Sequence, residues 1–242
     1  MAFNETGHYK NVANLNLLIG YINSYGTQYN PSKEAIKLVN LQALYEAANL
    51  QIKQVQDDKN TYSQAVDNRE DAFKDTKKFT TRIVANLSGT NVSTQTVKDA
   101  KTINAKIQAS KAKKPKITNP ETVDPTATSH STSRQSYDSL YENFNDMVSL
   151  LKTTSGYDTT QSEFQIAELT NYANKLKDAN EQIDLAIVAI NNQRINRDNL
   201  LYSPTLGLVD TALEAKNYIK GLFGASSPQF KTVNSISFRN FK

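Results

Sequence analysis

Residues 32–87 read SKEAIKLVNLQALYEAANLQIKQVQDDKNTYSQAVDNREDAFKDTKKFTTRIVANL, without a glycine or a proline. Proline breaks a helix interior and glycine weakens one, so a run this long that avoids both predicts helix. At 1.5 Å per residue a single helix here would span about 85 Å. The polar cluster from Asp57 to Thr61 is the expected place for any break. Ala48, Ile52, Val55, Tyr62, Val66, Phe73, Ile83 and Leu87 recur at spacings of three and four, as in a helix that buries one seam against a neighbour. Lys59, Arg69, Thr76 and Thr80 occupy the intervening seam positions, so the coiled-coil-like pattern is imperfect.

Upstream, Val12, Leu15, Ile19 and Ile22 mark a shorter amphipathic helix. Gly26 and Asn30-Pro31-Ser32 separate the two helices, and Pro31 or Ser32 is suited to open the long one. The same order recurs downstream. Leu140, Phe144, Met147 and Leu151 mark a short helix, Ser155-Gly156-Tyr157-Asp158 a break, and Leu169, Leu176, Ile183, Ile187 and Ile190 a second long seam. Ser203-Pro204 should end that helix, with a last helix near 208–222. Beyond it Val233, Ile236 and Phe238 give the tail β-like character, so a short β segment or an extended arm is expected at the C-terminus.

A displacement of 128 residues lays Tyr9 on Tyr137, Ile36 on Phe164, Leu41 on Leu169, Val55 on Ile183 and Asn68-Arg69-Glu70 on Asn196-Arg197-Asp198. With a two-residue adjustment, Lys101-Thr102-Ile103-Asn104 matches Lys231-Thr232-Val233-Asn234, two phrases expected to follow the helices. Ordered agreement of this length implies one unit used twice. The expected fold is mainly α, an elongated long-helix bundle of two pseudo-repeats. The first helical repeat covers residues 1–107, and the second, with its C-terminal arm, covers 136–242. Residues 108–135, rich in Pro, Lys, Ser and Thr, read as the linker.

Composition narrows the chemistry. The 242 residues include no cysteine, which excludes thiolate catalysis, disulfides and cysteine-ligated metals. With 38% apolar and 21% charged residues and a mean hydropathy of −0.58, the chain reads as soluble and globular or elongated. Ile183 to Ile190, the longest strongly apolar run, is far short of the roughly 20 residues of a membrane span. The opening Met1-Ala2-Phe3-Asn4-Glu5-Thr6 lacks the features of a secretory signal, so a cytoplasmic location is expected. The net charge of +4 is weak evidence for an anionic partner.

The chain resembles a family of bacterial, internally duplicated helical proteins with no established function. The likeness rests on Glu5-Thr6-Gly7-His8, Asn11-Val12-Ala13-Asn14, Gly207-Leu208-Val209-Asp210-Thr211-Ala212-Leu213 and Phe223-Gly224-Ala225-Ser226-Ser227-Pro228-Gln229. It implies a shared duplicated fold and brings no activity, cofactor or catalytic residue.

Residues that could carry chemistry are few. Glu5 and His8 have the Glu-x-x-His spacing of di-metal bundles, but His8 is expected in a frayed end and His130, the only other histidine, falls in the linker. No Ser-His-acid set and no glycine-rich phosphate loop is present, so neither a catalytic site nor a cofactor is expected. The adjacent carboxylates Asp57-Asp58 and Glu70-Asp71 diverge on a helix and read as solvated faces. Arg69 and Arg197 recur at one seam position beside Glu70 and Asp198 and read as interhelical ion pairs, or, more sharply, as an anion site shared between the copies. Lys106, Lys111, Lys113, Lys114 and Lys116 form the one evident footprint for nucleic acid or another polyanion.

These features favour a non-enzymatic structural or scaffold protein that forms homo-oligomers through long-helix surfaces and the C-terminal arm, with Arg69, Arg197, Glu70, Asp198, Val233, Ile236 and Phe238 as candidate assembly residues. Second in order is a binding module for nucleic acid or another polyanion through the basic linker, and third a helical pore-forming protein.

Overall fold

A computed structural model describes residues 6–108 and 136–241, and within them the chain is built from helices. They are α1 (Thr6–Ser24), α2 (Leu38–Phe73), α3 (Thr76–Leu87), α4 (Thr94–Gln108), α5 (Tyr137–Thr153), α6 (Ile166–Tyr202), α7 (Leu208–Phe223) and α8 (Pro228–Asn234). No strand occurs among the described residues, so the expected β segment is corrected. Val233 belongs to α8, which Ser227 caps by accepting from the Phe230 amide at 3.1 Å. The Lys-Thr-Ile-Asn and Lys-Thr-Val-Asn phrases likewise lie inside α4 and α8 rather than after the helices.

Two boundaries differ from the periodicity. The long helix α2 opens at Leu38 rather than at Pro31 or Ser32, because the segment before it closes on itself. The Tyr29 hydroxyl donates to the Ile36 carbonyl at 2.7 Å, across a 3-10 turn at Glu34–Ile36. The break expected at Asp57 to Thr61 does not form; α2 runs through it and stops at Phe73. Polar residues of that kind tolerate a helix, whereas a side chain inserted into the backbone ladder kinks one. Tyr172 of α6 supplies that insertion, donating to the Ala72 carbonyl at 3.3 Å and lying 2.9 Å from the Thr76 hydroxyl.

The chain divides into two compact units, one made of the residues up to Ser63 and from Ala186, the other of Gln64–Leu185. Each unit takes a short first helix from one expected repeat and the terminal helices from the other. The first packs α1 and the start of α2 with the end of α6, α7 and α8, around Leu15, Leu18, Ile22, Leu41, Leu201 and Ile219. Within it, Gln51 of α2 donates to the side chain of Gln193 of α6 at 2.8 Å. The second packs the end of α2, α3, α4, α5 and the start of α6 around Ile83, Leu87, Phe144, Met147, Leu169 and Leu176. Its Phe79 ring stacks on Phe144 and Phe164 with centroids 6.1 and 6.0 Å away. Each buried Leu, Ile or Phe contributes about 1.5–3 kcal/mol of hydrophobic stabilisation.

Candidate functional site

The most elaborate polar construction lies in the first unit, where the C-terminal segment crosses α1 and α7. Asn11, 2% exposed, grips the backbone of one residue from both sides. Its Nδ2 donates to the Arg239 carbonyl at 2.7 Å, and its Oδ1 accepts from the Arg239 amide at 3.1 Å. One turn along, Asn14 donates to the Ser237 carbonyl at 2.6 Å. From α7, the buried ammonium of Lys216 donates to the carbonyls of Ile236 at 2.8 Å and Asn234 at 3.2 Å. Burial holds this lysine below its ordinary value. Side chains thus satisfy the backbone groups that a sheet partner would have taken, which is why no strand forms.

Val233 and Ile236 are buried in this same core and Phe238 is half-buried against it. These side chains are occupied at home, which corrects their reading as an arm reaching for another subunit. Phe241 lies over Gly7, where a Cβ would come within 2.7 Å of its ring. A cavity of about 90 Å³ remains between α1 and the segment, lined by Lys10, Asn11, Ser237, Arg239 and Phe241.

His8 is buried in the first turn of α1 with Nδ1 2.7 Å from the Tyr202 hydroxyl, so the frayed end expected there is packed instead. Glu5 and His130 lie outside the described residues. Among the described residues no three His, Asp or Glu side chains gather to hold a metal.

The two arginines of the seam fall in different units and have different partners. Arg197 is 6% exposed and donates from Nε and Nη2 to Oδ1 of Asp198 at 2.9 and 2.7 Å. Arg69 instead lies with its guanidinium carbon 4.3 Å from the centre of the Tyr137 ring, and its buried Nε has no hydrogen-bond partner. Glu70 lines an open cleft of about 400 Å³ with Asp67, Asp71, Phe73, Lys74, Tyr137 and Leu140. Lys106 sits half-buried in the last turn of α4, while Lys111, Lys113, Lys114 and Lys116 lie outside the described residues.

Periodicity places Ile187 in the α6 seam, yet it is 38% exposed, beside Val188 and Ile195 at 58% each. No helix among the described residues is long and apolar enough to cross a membrane. No protein-family model, curated protein or solved structure matches the chain.

Proposed function

We propose that this chain is a non-enzymatic structural or scaffold protein of the cytoplasm that associates with further copies of itself through the outer face of α6. The observation that carries this reading is the exposure of Val188 and Ile195, each 58%. They stand seven residues apart, two turns along one face of the helix, with Ile187 beside them. The positions 128 residues earlier, on α2, hold Asn60 and Asp67, so this apolar pair is particular to α6. Apolar side chains grouped in this way mark a surface to be covered by a partner.

Internal duplication, as in the bacterial family that the chain resembles, is part of the same reading. It is supported by structural coincidences at the 128-residue displacement. The Tyr29 hydroxyl donates to the Ile36 carbonyl at 2.7 Å, and the Tyr157 hydroxyl to the Phe164 carbonyl at 2.6 Å. The 3-10 turns Glu34–Ile36 and Ser162–Phe164, and the starts of α2 at Leu38 and α6 at Ile166, keep the same offset.

Light scattering over a concentration series tests the association. The expected mass exceeds that of the 27.0 kDa chain, and Val188→Lys with Ile195→Lys returns it to one chain while leaving the circular dichroism unchanged. A wild-type protein that stays monomeric at its highest soluble concentration sinks the proposal. Salt-sensitive binding of nucleic acid, lost when Lys106, Lys111, Lys113, Lys114 and Lys116 are neutralised, would favour the polyanion reading instead.

A further inference from the structure

We propose that the small cavity between α1 and the C-terminal segment is a binding site for one oxyanion of the phosphate class. Its lining among the described residues carries two cations, Lys10 and Arg239, and the hydroxyl of Ser237, with no carboxylate. Some other cations of the first unit have carboxylate partners: Lys33 pairs with Glu214 at 2.6 Å, and Arg197 with Asp198 at 2.7 Å. Lys10 and Arg239 have none among the described residues.

The backbone brings these two residues to one cavity. Asn11 holds the amide and the carbonyl of Arg239, and Asn14 holds the carbonyl of Ser237, so the register of the segment is fixed on α1. Slipping by one residue would replace Arg239 with a neighbour. The register thus places Arg239 at the cavity that Lys10 also lines, and neither has a carboxylate partner among the described residues. A guanidinium fork and an ammonium point charge are the pair that recognises a tetrahedral oxyanion, with a serine hydroxyl as a further donor.

Size narrows the ligand. A volume of about 90 Å³ suits a few waters or one phosphate group. Phe241 supplies an apolar wall on one side. A bound oxyanion would bridge α1 to the segment through Lys10 and Arg239, fastening by charge what the asparagines fasten by hydrogen bonds. The proposal is independent of the association through α6.

Titration calorimetry with inorganic phosphate, against chloride at matched ionic strength, tests the site in the full chain. The expected result is saturable 1:1 binding, weakened at least about tenfold by Lys10→Gln with Arg239→Gln and unchanged by Lys231→Gln on exposed α8. Sedimentation with vesicles bearing phosphoinositide headgroups distinguishes the source. Vesicle binding lost in the double variant assigns the phosphate to lipid, and phosphate binding without vesicle binding assigns it to a soluble ligand. Absence of saturation, or saturation that survives in a folded double variant, overturns the site.

Discussion

The phenolic oxygen of Tyr172 lies 2.9 Å from the hydroxyl of Thr76 and 3.3 Å from the carbonyl of Ala72, and there α2 gives way to α3. Burial is the main cause that lifts this tyrosine above its ordinary value, with the Thr76 hydrogen bond acting against it. Tyr172→Phe removes both interactions beside a fully buried Thr76. A loss of about 1–3 kcal/mol is expected in urea denaturation. A change within error would show that the helix break does not depend on this hydroxyl.

Tyr29 gives a pH prediction. Burial, with Tyr218 adding to it, pushes its hydroxyl well above the ordinary tyrosine value, so the fold disfavours the phenolate. An unfolded tyrosine loses its proton near about pH 10. The stabilisation is therefore complete below that pH and declines as pH rises above it. Tyr29→Phe is expected to cost about 1 kcal/mol at neutral pH and to flatten the alkaline part of a stability profile. A profile as steep as the wild type's would contradict this.

Asn11 separates donor from acceptor. Asn11→Ala should destabilise by about 1–3 kcal/mol and make the Arg239 amide exchange rapidly with deuterium. Asn11→Asp keeps the oxygen facing that amide and loses the donor to the carbonyl, so the amide should stay protected. Equal exchange in both variants would deny the two-sided grip.

Arg69 and Tyr137 should be energetically coupled. With the guanidinium 4.3 Å from the ring centre, a double-mutant cycle of Arg69→Met and Tyr137→Leu is expected to give about 0.5–2 kcal/mol. Additive effects would reduce the contact to mere proximity.

Gly207 is required by space. A Cβ there would stand 2.6 Å from the carbonyl oxygen and 2.7 Å from the amide nitrogen of Ser203, both rigid backbone atoms. Gly207→Ala should lower stability by about 1–3 kcal/mol in thermal unfolding, whereas Gly221→Ala, which meets nothing within 4 Å, should not.

Helix positions were readable because they depend on local chemistry. Ser203-Pro204 ends α6 at Tyr202, and the stripe Leu140, Phe144, Met147 and Leu151 is the buried face of α5. The break after Phe73 was hidden because its cause, Tyr172, is far away in the chain. The candidate oxyanion site was hidden for the same reason. Asn11 and Asn14 share a helix face, but nothing local says that they hold Ser237 and Arg239. Nor does the β-like character of Val233, Ile236 and Phe238 reveal that a helix and three side-chain donors replace a strand.

Residues 64–185 form one unit from a single uninterrupted stretch, whereas the other unit joins the opening residues to those after Ala186. A ribosome therefore completes everything the middle unit needs before it has made any of α7 or α8. Until then α1 carries Leu15, Leu18 and Ile22 without the helices that cover them. Until they are made, α1 is an apolar helix without its cover, a natural client for a chaperone. The first unit is complete only once the later stretch, with the segment gripped by Asn11, has been made.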